Sequence, residues 1–362
     1  MTGVGMSNGR LTRRAFVGGL AAASAFPSAG GPKSSEIRAV LLHMGTNMWG
    51  VWVPEGESAP RGVEVIPDHI RFNENVWREL TAHCARRGMN TVVIDLGDFM
   101  RFPSHPELAI KGSWEPERMR TEVERIRALG LEPVPKLNFA TGHDQWLKEY
   151  GRMIGTRHWR RVATDLINDV CDVFGPLRYF HLGYDEELHD NMVMWSTPYL
   201  LRLRGFDAWK RDVFHTVNAV ERRGARAWMW ADTWRKSPAW MAQCPKSVLL
   251  SAHYYDEKCG GFSLDPKKNW IAYQLREIED LGKSGLDIVP AGTNWCGKTR
   301  REKMGGADDV MPRLMEFCRG AIPPEHLKGF IMTSWEYSVG VGQQNFIKRG
   351  IDILADAIAA GC

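Results

Sequence analysis

Eight times between residue 37 and the C-terminus, a short apolar run gives way to a longer amphipathic stretch, and few folds absorb that alternation. The apolar runs occupy 37–45, 89–97, 131–139, 179–186, 225–234, 247–255, 286–295 and 327–337. Helical patterns follow them over Glu74–Arg87, residues 115–130, His158–Phe174, Tyr199–Arg223, a short turn before the sixth run, Asn269–Lys283, Asp308–Arg319 and Phe346–Ala360. Punctuation agrees with these bounds: Gly88 and Gly130 stand where helices end, and Pro116 stands in the first turn of another. Strands joined through helices run parallel, and eight of them close into a single (β/α)8 TIM barrel over residues 37–362. An open doubly wound sheet would more often show six strands and a Gly-rich phosphate turn after the first, and no such turn is present.

The segment before the barrel reads as an address label. Thr12-Arg13-Arg14-Ala15-Phe16 is a twin-arginine signature, followed by a short apolar run to Phe26 and the small residues Ala23-Ser24-Ala25. That run is far short of the roughly 20 residues that span a bilayer. Residues 1–25 are therefore expected to be a signal peptide, 26–36 a linker, and the chain to be exported to the periplasm or beyond. Removing Arg10, Arg13 and Arg14 lowers the formal charge from +4 to about +1, which argues against nucleic acid or an anionic membrane as partner. The seven cysteines show no metal-type spacing, so no disulfide, or at most one, is expected.

Barrel enzymes carry their chemistry at the C-terminal ends of the strands. Those ends hold His43 and Asn47; Asp95 and Asp98; Asn138 and His143; His181, Asp185 and Glu186; Trp230, Asp232 and Trp234; His253, Tyr254 and Tyr255; Asn294 and Trp295; Trp335, Glu336 and Tyr337. Fifteen tryptophans are many for this length, and a flat indole face suits the C–H face of a sugar ring. Trp49, Trp52 and Trp114 are equally readable as core or as rim.

Adjacent acids at the end of the buried fourth strand are costly unless something needs them. Glycosidases use two carboxyl groups, one a proton donor and the other a nucleophile or base. A protein nucleophile is commonly on strand seven, but that strand ends Ala291-Gly292-Thr293-Asn294-Trp295, without a carboxylate. This points to substrate-assisted hydrolysis, in which a 2-acetamido group attacks its own anomeric carbon. Asp185 and Glu186 supply the orienting carboxylate and the proton donor. Successive strand residues face opposite ways, so the pair converges only if the backbone leaves strand geometry, which Gly183 permits.

Three segments in this order, Pro135-Lys136-Leu137-Asn138 through Gly142-His143, His181-Leu182-Gly183-Tyr184-Asp185-Glu186, and the late Trp335-Glu336, resemble the catalytic barrel of family 20 glycoside hydrolases, the β-N-acetylhexosaminidases. The resemblance covers about residues 37–350. It implies that Glu186 is the acid/base, Asp185 the acetamido-orienting residue and His143 their partner. Trp230 and Trp335 would be aromatic walls, and Glu336 a hydroxyl-binding acid. His181, Tyr184, Asp232, Tyr254, Asn294 and Trp295 complete the expected sugar site, with no cofactor and no metal. Departures are visible. Tyr184 replaces a glycine, and Lys136 and Asn138 replace two acids. The strand-one arginine has no counterpart, and the strand-seven tyrosine has none unless Asn294 or Tyr254 serves. An N-acetylhexosamine-containing glycan is the expected partner.

Two rivals remain. A metal-dependent barrel hydrolase would draw on His43, His143, His181, His253 and Asp232, but lacks His-x-His on strand one. A non-catalytic carbohydrate-binding barrel would keep the aromatics and have no need of Glu186.

Overall fold

Strands apolar on both faces demand cover on both sides, and the computed structural model supplies it as a parallel barrel sheathed in helices. It describes residues 36–45, 52–53, 65–187, 205–255, 271–295 and 307–362, with 56, 58, 265 and 267 as isolated positions. The expected signal segment, the linker up to residue 35, Asn47, Trp49, Cys259 and Cys296 lie outside these residues.

The strands are β1 (Ile37–His43), β2 (Thr91–Asp95), β3 (Glu132–Lys136), β4 (Tyr179–His181), β5 (Arg226–Trp230), β6 (Leu249–Ser251), β7 (Ala291–Thr293) and β8 (Gly329–Tyr337). They are hydrogen-bonded in the order β6-β5-β4-β3-β2-β1-β8-β7, all parallel. Bridges from Leu250 to Ile288 and from His253 to Ala291 join β6 to β7 and complete the ring. The expected single (β/α)8 barrel is therefore the observed fold.

Helices follow the strands: α1 (Glu74–Arg86), α2 (Pro116–Ala128), α3 (Arg157–Phe174), α4 (Phe206–Arg222), the short α5 (Pro238–Met241), α6 (Ala272–Lys283), α7 (Val310–Ala321) and α8 (Val341–Ala359). Local chemistry starts them. Asn73 caps α1 by accepting from the amides of Asn75 and Val76, and Thr156 caps α3 by accepting from Trp159. In α3 the residues Trp159, Val162, Ala163, Leu166, Ile167 and Val170 recur at three- and four-residue steps, and all are buried. Truncating a side chain such as Leu166 to alanine costs about 2–5 kcal/mol at sites of this kind.

Strand alternation divides the core in two. Ile37, Ala39, Leu41, Val93, Val134, Trp228, Leu249 and Ile331 fill the barrel, whereas Val40, Leu42, Val92, Ile94 and Phe180 face the helices. Among the described residues no helix is long and apolar enough to cross a membrane. Cys84, Cys171, Cys244, Cys318 and Cys362 are unpaired.

Candidate functional site

β4 stops at His181, and the next residues abandon strand geometry. Gly183 has φ 71°, Tyr184 φ 64° and Glu186 φ 51°. Gly183 is required on two counts: its φ is left-handed, and a Cβ there would lie 2.1 Å from Asn138 Oδ1. Among the described residues only Lys148, Tyr184, Glu186 and Trp335 are non-glycine positions with positive φ. Three of the four sit at this mouth of the barrel, as strain at a working site would.

The turn brings two carboxylates to one imidazole. His143 Nε2 lies 3.0 Å from Glu186 Oε2 and 3.7 Å from Asp185 Oδ2. Asp185 is nearly buried, while the Glu186 side chain keeps a third of its surface exposed. Asn138, two residues past β3, donates Nδ2 to Asp185 Oδ1 at 2.8 Å. Its own Oδ1 accepts from the amides of Ala140 and Tyr184, so the amide can point only one way. An acid at position 138 would face Asp185 oxygen to oxygen; the neutral amide leaves Asp185 as the carboxylate of that contact.

Aromatic rings line the same mouth. Trp230 and Trp335 stand 6.0 Å apart between ring centroids at 42°, and Trp335 is also 5.8 Å from His43. Trp335 reaches inward through an irregularity. Leu41 pairs with Thr333 and His43 with Tyr337, so β8 takes more residues than β1 over that step and bulges. His181 stands inside the barrel beside Trp230, with ring centroids 5.3 Å apart. Its Nδ1 accepts from the Gly183 amide, which assigns the proton to Nε2. Burial, reinforced by the nearby Lys136 ammonium, holds His181 neutral and well below the usual histidine range.

Beneath the mouth lies a buried charged layer. Lys136 Nζ is 2.5 Å from Asp95 Oδ2, and His43 Nδ1 is 3.5 Å from the same oxygen. Burial pushes the Asp95 carboxyl up, but the Lys136 charge and the His43 hydrogen bond outweigh it and hold the group well below the carboxylate range. A second cluster joins the ends of β5 and β6. Asp232 accepts from Arg235 at 2.7 Å and lies 3.4 Å from His253. Burial again opposes ionisation of Asp232, and His253, Arg235 and Lys236 prevail.

The remaining expected residues divide. Trp295 and Glu336 are half-buried at the ends of β7 and β8. Three others turn outward, away from the cavity. Tyr184 packs against Phe139 and Trp209, and its hydroxyl meets Thr216 of α4 at 3.0 Å. Asn294 donates Nδ2 to the Phe346 carbonyl of α8. Tyr254 belongs to the outer core, whereas its neighbour Tyr255 stacks on His253 at 4.5 Å and meets Trp335 edge-on at 6.0 Å. The reason is the two-residue period: if His253 points in, so does Tyr255, and Tyr254 cannot. Tyr255, Asn138, Asp95 and His43, expected at the strand ends but not in the sugar site, thus line or underlie it, and Lys136 joins them. The alternation was a signal for the first, and a lysine inside an apolar run was one for the last. Trp114 is core, against Phe72 and Phe99.

Among the described residues no group of three or more His, Cys, Asp or Glu is placed to hold a metal. The cations of Lys136 and Arg235 sit among the histidines that such a centre would use.

No family model and no curated protein matches the sequence. Solved structures do share the fold. A β-N-acetylhexosaminidase from Bacteroides fragilis NCTC 9343 is similar at TM-score 0.55 and 12% identity, over 88% of this chain and 65% of that one. Dispersin B is similar at 0.56 and 13%, over 80% and 95%. The GH20 β-N-acetylhexosaminidase of Streptomyces coelicolor A3(2) is similar at 0.56 and 13%, over 88% and 64%. The chain thus spans just under two thirds of the Bacteroides and Streptomyces proteins. At these identities the likeness shows the fold, a (β/α)8 barrel.

Proposed function

We propose that this chain is an exported, retaining glycoside hydrolase that cleaves β-linked 2-acetamido sugars by substrate-assisted catalysis. One observation carries the reading: Asp185 and Glu186 converge from a single strand end onto His143, while β7 ends without a carboxylate. Glu186 gives its proton to the glycosidic oxygen as the acetamido oxygen attacks the anomeric carbon, so the leaving sugar departs neutral. Asp185, oriented by Asn138, holds the acetamido N–H and stabilises the positive charge that develops there. Water then opens the cyclic intermediate, and the Glu186 carboxylate takes back a proton. Trp230 and Trp335 supply apolar faces for the ring, and the buried Trp230 Nε1–H and His181 Nε2–H offer donors to its hydroxyls. Support also comes from the names of the similar structures, one of them a Vibrio harveyi enzyme in complex with N-acetylglucosamine.

The test is a pair of substrates, aryl β-N-acetylglucosaminide and aryl β-glucoside. Turnover of the first alone supports the reading. Equal turnover of both rules out acetamido participation, and binding of N-acetylglucosamine with no turnover of either identifies a carbohydrate-binding barrel instead.

A further inference from the structure

A cleft of about 420 Å³ runs between α3 and α4 on the outer face of the helical layer, and arginine dominates its walls. Arg157, Arg160 and Arg161 come from α3 and Arg222 from α4. Arg160 is already engaged, donating to the buried Asp212 at 2.7 Å. Arg157, Arg161 and Arg222 are exposed, and no carboxylate among the described residues stands within ion-pair distance of them. The one acid in the lining, Asp165, faces His105 at 3.4 Å. Three planar cations thus share one concave surface with a single carboxylate, which is outside ion-pair distance of all three.

We infer that this cleft binds a strand of acidic polysaccharide through its carboxylate or sulfate groups. Guanidinium forks match such planar or trigonal oxyanions two bonds at a time. Arg157 and Arg161 are one helical turn apart, about 6 Å along the axis, which is the scale of one sugar residue. The competing polyanions fit less well. Single-stranded nucleic acid is held by stacking on aromatic rings, and the only ring in the lining is the His215 imidazole. A membrane surface wants large apolar side chains such as Trp, Phe or Leu to insert, and none of these lines the cleft. The small net charge of the chain is no obstacle, because charge recognition is local on the scale of a Debye length.

The site is separate from the strand-four carboxylates, so its test needs no turnover. Full-length protein is titrated with a sulfated and a carboxylated polysaccharide, a neutral dextran, duplex DNA and anionic phospholipid vesicles, at several salt concentrations. The variant R157Q/R161Q/R222Q is compared with R86Q/R120Q/R313Q, which removes equal charge elsewhere, and thermal unfolding verifies that both fold. Binding of an acidic polysaccharide should weaken by roughly a factor of five per cleft arginine, about a hundredfold in all, with a shallower salt dependence. The control variant should lose much less. Absence of acidic-polysaccharide binding, equal loss in both variants, or tighter cleft-dependent binding of DNA or vesicles would overturn the proposal.

Discussion

The imidazole Nε2 of His143 stands 3.0 Å from Oε2 of Glu186, within hydrogen-bond distance. Asp185 Oδ2 is 3.7 Å from the same nitrogen, so one ring gauges the spacing of both acids. The two carboxylates differ in their other contacts. Asp185 is tied to Asn138, whereas Glu186 is open to the mouth, and the difference suits an orienting group beside a proton donor.

Replacing Glu186 by Gln keeps the shape and removes the proton. Aryl N-acetylglucosaminides with poor leaving groups should lose about 10²–10⁴ in kcat/KM. Those with nitrophenolate-type leaving groups should lose far less in the first step. Asp185→Asn should harm both classes alike, since it weakens the acetamido attack itself. A Glu186→Gln variant equally impaired on every leaving group would remove Glu186 from the donor role.

Tyr255 and Tyr254 provide a paired control. Tyr255→Phe should lower kcat/KM on an N-acetylglucosaminide about tenfold, the value of one hydroxyl contact to a polar group. Tyr254→Phe should leave kinetics nearly unchanged, because its ring lies in the outer core. Steady-state kinetics with reversed sensitivities would mean that the inward residue has been misidentified.

Gly183→Ala should be among the most damaging single-methyl changes in the molecule. The added Cβ meets Asn138 Oδ1 at 2.1 Å and the Asn138 Cα at 2.7 Å, and the φ of 71° adds strain. A loss of about 3 kcal/mol or more is expected from clash and strain together. Denaturant unfolding measures it, and a variant within about 1 kcal/mol of wild type would contradict the geometry.

Acid should destabilise the fold in two stages. Burial holds His253 down to about 4, with Arg235 and Lys236 adding and Asp232 opposing, and burial also lowers His43 and His181. In the unfolded chain these groups titrate near 6.5. Between about pH 6.5 and 4 the unfolded state takes up protons that the folded state refuses, so stability falls through that window. Asp95 is depressed instead, and its contribution is present above its unfolded value near 3.9 and disappears only at lower pH. Calorimetric Tm measured from pH 8 to 3 should show both declines, and His253→Gln should flatten the first. A Tm independent of pH between 6.5 and 4 would exclude the assignment.

Export is tested on the leader. Arg13→Lys with Arg14→Lys should leave the precursor in the cytoplasm, because the twin-arginine receptor reads the pair. Fractionation and immunoblotting decide, and undiminished export of the double variant would discard the signal.

The barrel was legible because period and punctuation agree. Runs such as 89–97 are apolar on both faces, and Gly88 and Gly130 mark helix ends. The convergence of Asp185 and Glu186 was legible too, since Gly183 offers the one backbone exit from the strand. Facing was harder to read. Asn294 and Tyr254 lie past the regular parts of β7 and β6, where Pro290 and isolated bridges leave few strand residues to count from. Tyr184, in the place of a glycine, is readable either as filling the space left open or as touching substrate, and its left-handed φ swings the ring behind the sheet to Thr216. The Lys136–Asp95 pair depends on two strands meeting in register, Asp95 opposite Lys136, which no single segment reveals.

Ile37, Leu41, Val93, Val134, Trp228 and Ile331 stopper the barrel below the Lys136–Asp95–His43 layer. The barrel axis is therefore packed shut below that layer. A polymer cannot thread down the barrel axis, because nothing leads out at the far end. Whatever is seated against Trp230 cannot leave through the far end of the barrel.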